Sequence, residues 1–346
     1  MENVRGVQKP HSGLLEMTLT EQAALECGTL LDDLSGKFET ADDPVFLRQA
    51  ARHASNLPVE VLDALDGLKY SESVAALVIR NGPVGEAELP TPRHWKERDP
   101  RATVRQDIWL ALTTSRLGDP IAWSSLQDGR LFNDVLPMPG QEHQQTGHSS
   151  EADLELHVED CFSDDRCDAL ALLCLRNHDK VTNTIVTATD LDFSRLDLDV
   201  LFSPRFLIKP DSEHLRRTGS GSKVASEASP LLFGSRQSPY LRIDVPYTEA
   251  LPGDVQAKAE LDALCAQLAE RATVLCLAEG DLLLVDNFRA LHGRGTFQAR
   301  YDGTDRWMRK LTVVRDLRRS RRFRSGAEGR VISLFDESTP QTATSH

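Results

Sequence analysis

The stretch LLLVDNFRALHGR, residues 282–294, joins an apolar segment to a histidine and is one of several short β-type segments in the second half of the chain. Its first five residues predict a buried β-strand, because a short apolar run is typical of strands that are covered on both faces. His292 follows that strand beside Gly293, where an imidazole can point into a cavity or satisfy a hydrogen bond in the core. The stretch therefore predicts a strand and marks His292 as a candidate functional residue.

The rest of the sequence divides into a helical first third and a β-rich remainder. Helices are predicted at 23–34, 43–54, 58–68 and 105–117, the first after a Thr18-x-x-Glu21 capping box, with a strand at 74–81. Further strands are predicted at 131–136, 169–176, 183–188, 240–245 and 309–314, with one helix at 253–272. This order predicts an α+β fold in which helices pack outside an antiparallel sandwich or barrel. Two long polar loops, 137–153 and 218–239, have the length of functional lids or disordered segments.

Composition restricts the class of protein. The 346 residues are 40% hydrophobic and 27% charged, which suits one large globular domain or two modest ones. No apolar run approaches the ~20 residues that span a bilayer, and the polar first 13 residues contain no signal-peptide core. We therefore expect a cytoplasmic protein with no membrane partner. A formal net charge of −13 also disfavours nucleic acid as a partner, since phosphates and the acidic surface repel each other.

Two local features of the composition have ordinary interpretations. Six cysteines without a CxxC pair predict buried free thiols: Cys27, Cys161, Cys167, Cys174, Cys265 and Cys276. A basic cluster near the C-terminus is either a nucleic-acid patch or a solvated face, and the net charge favours the solvated face. This cluster consists of Arg315, Arg318, Arg319, Arg321, Arg322 and Arg324.

The chain contains residues of the types that bind a metal ion. In His157-Val158-Glu159 the first and third residues project from the same face of an extended strand, so an imidazole and a carboxylate can converge. Together with His292, far along the chain, they match the facial triad of non-haem Fe(II), although His-x-Glu alone occurs often by chance. His-Glu-x-x-His, a complete phosphate-binding loop and a Gly-x-Ser-x-Gly elbow are all missing from the sequence.

Arg306 lies fourteen residues beyond His292 and could complete such a site. A dicarboxylate that binds iron at one end needs a cation at the other, and the planar fork of arginine suits a carboxylate. The ordinary alternative for Arg306 is a structural salt bridge to Asp302 or Asp305.

Four segments, 149–162, 172–177, 199–206 and 292–307, together resemble the clavaminate synthase-like Fe(II)/2-oxoglutarate oxygenases. Within that family the chain is most similar to the asparagine oxygenase and arginine β-hydroxylase branch, which hydroxylates free L-amino acids for peptide natural products, including antibiotics. The resemblance covers about residues 117–322 and implies a double-stranded β-helix, or jelly roll, with flanking helices. It also implies one oxygenase domain over 1–346, with a mainly helical part at 1–120, a core at 121–325 containing a lid loop at 218–239, and a tail at 326–346.

The resemblance assigns the cofactors and their ligands. Fe(II) would be bound by His157, Glu159 and His292, with 2-oxoglutarate and O2 as cosubstrates. Arg306 would bind the distal carboxylate of 2-oxoglutarate, and either Asn183 or Thr184 would add a hydrogen bond. The implied reaction adds a hydroxyl group at an unactivated carbon and releases succinate and CO2.

Substrate contacts implied by the family fall on Gln127, Ser149, Ser150, Asp244 and Lys310. Relatives that use arginine carry a second acid where this chain has Pro246, and an arginine where it has Lys310, so lysine stays open beside arginine. Arg309 is the alternative to Lys310.

The expected partner is a free basic amino acid, and a homodimer is the assembly to consider. Other interpretations are asparagine as substrate, a carrier-tethered amino acid docked on the basic cluster, and a non-catalytic binding protein.

Overall fold

The computed structural model describes residues 13–84, 89–216 and 227–333, so residues 218–226 of the predicted lid loop lie outside the described residues. In chain order the strands are β1 (Leu14–Thr18), β2 (Ala76–Arg80), β3 (Asp119–Trp123), β4 (Asn133–Val135), β5 (Leu154–His157), β6 (Ala169–Arg176), β7 (Thr182–Thr187), β8 (Phe206–Ile208), β9 (Leu232–Ser235), β10 (Ser238–Leu241), β11 (Thr248–Ala250), β12 (Thr273–Cys276), β13 (Leu282–Asp286), β14 (Ala290–Arg294), β15 (Trp307–Val314) and β16 (Val331–Ile332). The α-helices are α1 (Glu21–Ser35), α2 (Pro44–Ala54), α3 (Val59–Tyr70), α4 (Val104–Ser115), α5 (Leu198–Leu201), α6 (Ser212–Arg216) and α7 (Val255–Arg271).

Two sheets form the centre of the molecule. The larger has eight strands in the order β1-β2-β13-β6-β15-β3-β16, with β4 paired to β15. The smaller has four antiparallel strands in the order β12-β7-β14-β5. Two separate two-stranded sheets pair β8 with β11 and β9 with β10. The first two strands belong to the larger sheet, so the helical first third of the chain is joined to the β-rich part by backbone hydrogen bonds.

The residues of β6 show how the larger sheet is covered on both faces. Leu170, Leu172 and Cys174 belong to a hydrophobic cluster that also contains Ile185 and Leu275 of the smaller sheet. The intervening residues belong to a second cluster with the helices α1 to α4: Ala169, Ala171, Leu173 and Leu175. Because side chains alternate along a strand, both sets are buried only if the strand is apolar throughout. The molecule is therefore layered, with helices, the larger sheet and the smaller sheet in that order.

The far side of the smaller sheet is also covered. Val186 of β7 and Leu291 of β14 share a hydrophobic cluster with Leu261, Leu264 and Leu268 of α7. The fold is thus a mixed arrangement of helices and β-sheets, with the two sheets enclosed between helices.

Most predicted elements are confirmed, and the strands at 169–176 and 282–286 have the predicted bounds. The capping prediction is wrong: Thr18 ends β1, and Thr20 begins α1 by accepting a hydrogen bond from the backbone nitrogen of Ala23 at 3.1 Å. His292 does not follow β13 directly but lies within a strand of its own, β14. The predicted strand at 240–245 is confirmed only in part: β10 covers Ser238–Leu241, and Val245–Tyr247 form a 3-10 turn that contains Pro246.

The predictions of buried free thiols and of a solvated basic face are confirmed in part. All six cysteines are free, and four are buried, but Cys265 is half-buried and Cys276 is exposed. In the basic cluster, four arginines pair with carboxylates: Arg315 with Asp286 at 3.8 Å, Arg318 with Asp316 at 2.8 Å, Arg319 with Asp168 at 3.0 Å and Arg322 with Asp165 at 3.6 Å. Among the described residues, no helix is both long and apolar enough to cross a membrane.

A buried charge network joins α4 to the larger sheet. Arg309 of β15 is fully buried and donates to both carboxylate oxygens of Asp107 at 2.8 Å. Its guanidinium also forms an ion pair with Asp134 at 2.9 Å, and Asp134 in turn pairs with Arg98 at 3.0 Å. Because water is excluded, removal of one partner leaves a buried charge without compensation.

We expect Asp107→Ala to lower the free energy of unfolding by about 3–5 kcal/mol, since it leaves Arg309 short of one carboxylate. Urea unfolding followed by circular dichroism measures the change. Lys258→Ala, which breaks the exposed Lys258–Asp262 pair of α7, is the control and should cost less than about 1 kcal/mol. Equal losses in the two variants would contradict a structural role for the buried network.

Candidate metal centre and cavity

Pairing of β5 with β14 brings the two candidate histidine ligands together. His157 is the cross-strand partner of His292, and their ring centroids are 4.3 Å apart. The register shifts between His292 and Arg294, which allows close approach of the two strands. Gly293 is required there, since an added Cβ would lie 2.6 Å from the carbonyl oxygen of Leu154.

Glu159 reaches the two histidines although β5 has ended at His157. Its backbone nitrogen donates to the side-chain oxygen of Asn287 at 2.8 Å, and the Asn287 amide donates back to the Glu159 carbonyl at 2.9 Å. Asp160, the next residue, has a φ of 52°, so the chain turns sharply after Glu159. The turn between β13 and β14 therefore positions the carboxylate that completes the cluster.

The three side chains form a compact set of possible metal ligands. One ligand atom from each of His157, Glu159 and His292 lies within 4.8 Å of the other two. Glu159 Oε2 is 3.8 Å from His157 Nε2 and 3.5 Å from His292 Nε2. The Nδ1 atom of His157 lies 2.9 Å from the carbonyl oxygen of Glu155, an arrangement that fixes the ring with Nε2 towards the cluster.

The two imidazoles of this set differ in their preferred charge. Burial opposes protonation of His157, but Glu159 and Asp244 outweigh it and raise the pKa of His157 to about 9, so a metal ion must displace a proton from this ring. Burial, assisted by His157, lowers the pKa of His292 to about 4, so this imidazole is neutral at neutral pH, as a metal ligand must be. Burial opposes ionisation of Glu159, but Lys310 and the histidines outweigh it and hold the pKa of this carboxyl well below its usual range. Two imidazoles and one carboxylate fit Fe(II) in an octahedral site with three open positions.

Lys310 contacts one of the three candidate metal ligands. Its ammonium group donates to Glu159 Oε1, which leaves Oε2 turned to the histidines. Lys310 and Arg309 are neighbours on β15 and so point to opposite faces of the larger sheet. Arg309 is committed to Asp107 and Asp134, which excludes the alternative that it replaces Lys310 in the cavity.

A cavity beside the cluster contains further predicted residues. Arg306 lines it, is buried, and donates to Asn183 Oδ1 at 3.2 Å. The alternative that Arg306 forms a structural salt bridge to Asp302 or Asp305 is wrong. Among the described residues Arg306 forms no ion pair, and Asp305 accepts hydrogen bonds from the backbone nitrogens of Arg300 and Tyr301. Thr184 lies on the other face of β7 and lines a separate cleft with Leu268 of α7.

Some of the remaining predicted substrate contacts line the cavity, and the others are buried outside its lining. Gln127 lines the cavity, and its amide pairs with the backbone of Asp134 at 2.8 and 3.0 Å. Ser149 and Ser150 are buried but do not line the cavity. Asp244 lines it and forms an isolated backbone bridge with His157.

Titratable residues that were not predicted also line the cavity, among them His148, Asp211, Glu213 and Arg294. Asp211 begins α6 by accepting from the backbone nitrogens of Glu213 and His214 at 2.8 and 3.0 Å. Glu213 lies 3.3 Å from the imidazole of His148. The Asp-Ser-Glu order at 211–213 is typical of a helix start and was the available signal for α6, but it does not indicate where the carboxylates point.

Asp244 and Asp211 place two carboxyl groups on one side of the cavity. Burial raises the pKa of Asp244 to about 7; His157 opposes this shift and Asp211 adds to it. Burial likewise raises the pKa of Asp211, although His214 opposes the shift. A bound cation would favour the ionised form of these two carboxyl groups, which burial disfavours.

Comparison with known proteins supports these observations. Residues 226–312 match the family model described as "Taurine catabolism dioxygenase TauD, TfdA family". The chain is 35% identical to L-ornithine/L-arginine 3-hydroxylase of Catenulispora acidiphila, over 91% of this chain and 99% of the relative. It is 36% identical to enduracididine β-hydroxylase of Streptomyces hygroscopicus, over 92% of this chain and 100% of the relative. The crystal structure of the non-heme iron oxygenase OrfP with Fe, succinate and (3S)-hydroxy-L-Arg matches with a TM-score of 0.86 and 36% identity, over 92% of this chain and 99% of OrfP.

We expect His292→Ala to weaken Co(II) binding at least ~100-fold, because loss of a ligand should cost no less than loss of a hydrogen bond to a ligand. Titration of the visible Co(II) absorbance, without oxygen, measures the affinity. His143→Ala is the control, since the His143 side chain is 77% exposed on the 137–153 loop. Unchanged Co(II) affinity in the folded His292 variant would remove His292 from the ligand set.

Proposed function

Because the chain belongs to the clavaminate synthase-like Fe(II)/2-oxoglutarate oxygenases of the TauD/TfdA family, we propose that it hydroxylates a free basic L-amino acid at an unactivated side-chain carbon. The observation that carries the proposal is the His157–Glu159–His292 cluster, which faces a cavity with Arg306 in one part of its wall and Asp211 and Asp244 in another. In the reaction, 2-oxoglutarate and O2 yield succinate and CO2. One oxygen atom enters succinate, and the other forms the new hydroxyl group.

His157, Glu159 and His292 are the proposed ligands of Fe(II). When bound, Fe(II) supplies the redox chemistry by which O2 and 2-oxoglutarate convert a C–H bond to C–OH. The protein positions both organic molecules beside these three side chains, and the buried cavity limits access of water. Lys310 neutralises the second oxygen of Glu159 and so fixes the orientation of that carboxylate.

Arg306 is the proposed anchor of 2-oxoglutarate. Its guanidinium would bind the distal carboxylate, and Asn183 orients the guanidinium through the 3.2 Å hydrogen bond. Thr184, the alternative to Asn183, lines a different cleft, which favours Asn183.

The amino-acid substrate is proposed to lie between the metal ligands and the acidic wall. Asp244 and Asp211 would bind the positive charge of an arginine, ornithine or lysine side chain. Asp211 would replace the second acid that relatives carry at the position of Pro246. Gln127 and Lys310 are the proposed contacts of the amino-acid end. Ser149 and Ser150 would act through the 137–153 loop, in which they are buried.

We further infer that the two facing sheets form a jelly-roll core and that residues 1–346 make one oxygenase domain. This is supported by the two relatives described above, which the chain matches over 99% and 100% of their lengths. We also propose a cytoplasmic location, in keeping with the six free cysteines.

The direct test is an aerobic assay with Fe(II), 2-oxoglutarate and each of the twenty free amino acids. Succinate release coupled to the gain of one oxygen atom by arginine, ornithine (added to the set) or lysine is expected. Hydroxylation of asparagine alone would contradict a basic substrate. Succinate release without hydroxylation of any free amino acid would contradict a free substrate and favour one tethered to a carrier.

We expect Asp244→Asn to raise the KM for the basic substrate about 10- to 100-fold, the effect of losing one charged hydrogen bond of about 1.5–3 kcal/mol. Steady-state succinate release measures KM and kcat. Asp262→Asn on the exposed face of α7 is the matched control and should behave as the unaltered protein. An unchanged KM in the Asp244 variant would show that another group recognises the side chain.

We expect Arg306→Ala mainly to raise the 2-oxoglutarate concentration needed for half-maximal rate, because the distal carboxylate loses its charged partner. Succinate release at varied 2-oxoglutarate measures this, with the half-exposed Arg300→Ala as control. If the Arg306→Ala variant and the unaltered protein gave the same saturation curve, the anchor of 2-oxoglutarate would lie elsewhere.

A further inference from the structure

Arg294 is a buried cation that the reaction described above does not use. It lies two residues after His292 on β14, is 3% exposed, and lines the cavity. Its Nη2 atom donates to Ser149 Oγ at 2.7 Å and to the carbonyl oxygen of Ala152 at 3.1 Å. Within the described part of the chain, its Nε and Nη1 atoms have no hydrogen-bond partner. All the partners that Arg294 does have are uncharged.

Three other buried arginines are compensated by carboxylates. Arg98, Arg289 and Arg309 each have a carboxylate oxygen within 3.0 Å. Across residues 13–84, 89–216 and 227–333, neither Arg294 nor Arg306 has a carboxylate within 4.0 Å, the limit for an ion pair. Burial of an unpaired charge is costly, so two such groups in one cavity point to an anionic ligand.

Arg166 is a useful contrast, since it too is buried without a carboxylate partner. Its guanidinium lies 4.5 Å from the ring centroid of Phe288, and it does not line the cavity. Cation–π contact with Phe288 and Phe233 accounts for Arg166. Arg294 also lies over a ring, that of Phe297 at 5.1 Å, but unlike Arg166 it reaches the cavity beside a second guanidinium.

The charges around Arg294 indicate which ligand it faces. Arg294 is the cross-strand partner of Asn183 of β7, and Asn183 accepts the hydrogen bond from Arg306. Arg294 therefore belongs to the cationic part of the cavity with Arg306, and not to the acidic wall of Asp211 and Asp244.

We propose that Arg294 is a second binding residue for the distal carboxylate of 2-oxoglutarate, acting beside Arg306. The inference rests on the proposed function. Two cations, Arg294 at the end of β14 and Arg306 just before β15, would fix the position of this carboxylate relative to the metal ligands. They would so select a five-carbon dicarboxylate over an oxo acid with an uncharged end.

The test measures binding, without turnover, to Fe(II)-loaded protein in the absence of oxygen. Isothermal titration calorimetry compares 2-oxoglutarate with 2-oxopentanoate, which has the same carbon chain but no distal carboxylate. We expect Arg294→Gln to weaken 2-oxoglutarate about tenfold or more and to leave 2-oxopentanoate unchanged. Arg294→Lys keeps the charge and should recover part of the loss; it also carries the test if the glutamine variant does not fold.

Arg166→Gln is the matched control, because it removes a buried guanidinium that also lacks a carboxylate partner in the described part of the chain but does not line the cavity. We expect its affinity for 2-oxoglutarate to stay within about twofold of the unaltered protein. Equal weakening of both ligands in Arg294→Gln, or an equal loss in Arg166→Gln, would assign Arg294 to support of the fold and overturn the proposal. Failure of the unaltered protein to bind 2-oxoglutarate would instead overturn the proposed function.

Discussion

The antiparallel pairing of β5 with β14 is the constraint on which the site depends. It sets His157 opposite His292, and the turn before β14 supplies Asn287, which holds the backbone of Glu159 at the same place. A shift of register by one residue would turn the histidines to opposite faces of the sheet. The close approach at Gly293 opposes such a shift, since no other residue fits between β14 and the Leu154 carbonyl.

Strand β15 connects the stability of the fold to the chemistry of the cavity. Arg309 faces the helices and is neutralised by Asp107 and Asp134, whereas Lys310 faces the cavity and contacts Glu159. The charge on one face is satisfied inside the protein and ties α4 to the sheet. The charge on the other face orients a candidate metal ligand. A displacement of β15 would therefore disturb both.

Charge is distributed unevenly in the cavity, and this unevenness suits a reaction between two charged small molecules. Arg294 and Arg306 lack carboxylate partners in the described part of the chain, and burial raises the pKa values of Asp211 and Asp244. A dicarboxylate and a basic amino acid would compensate the two parts separately. The cavity would then discriminate between cosubstrate and substrate by charge before the shape of either is considered.

The sequence alone determined the apolar strands and the types of ligand. Strands β6 and β13 were predictable because both their faces are buried, which demands continuous apolar runs, and His157, Glu159, His292 and Arg306 were identifiable from residue chemistry together with the family resemblance. The tertiary structure decided which neighbour on a strand faces the cavity: Asn183 and not Thr184, Lys310 and not Arg309. It alone brought Asp211 and Arg294 into the wall. The reason is that side-chain direction alternates along a strand, so a residue's role depends on pairing with strands that are distant in sequence, and no local pattern records that register.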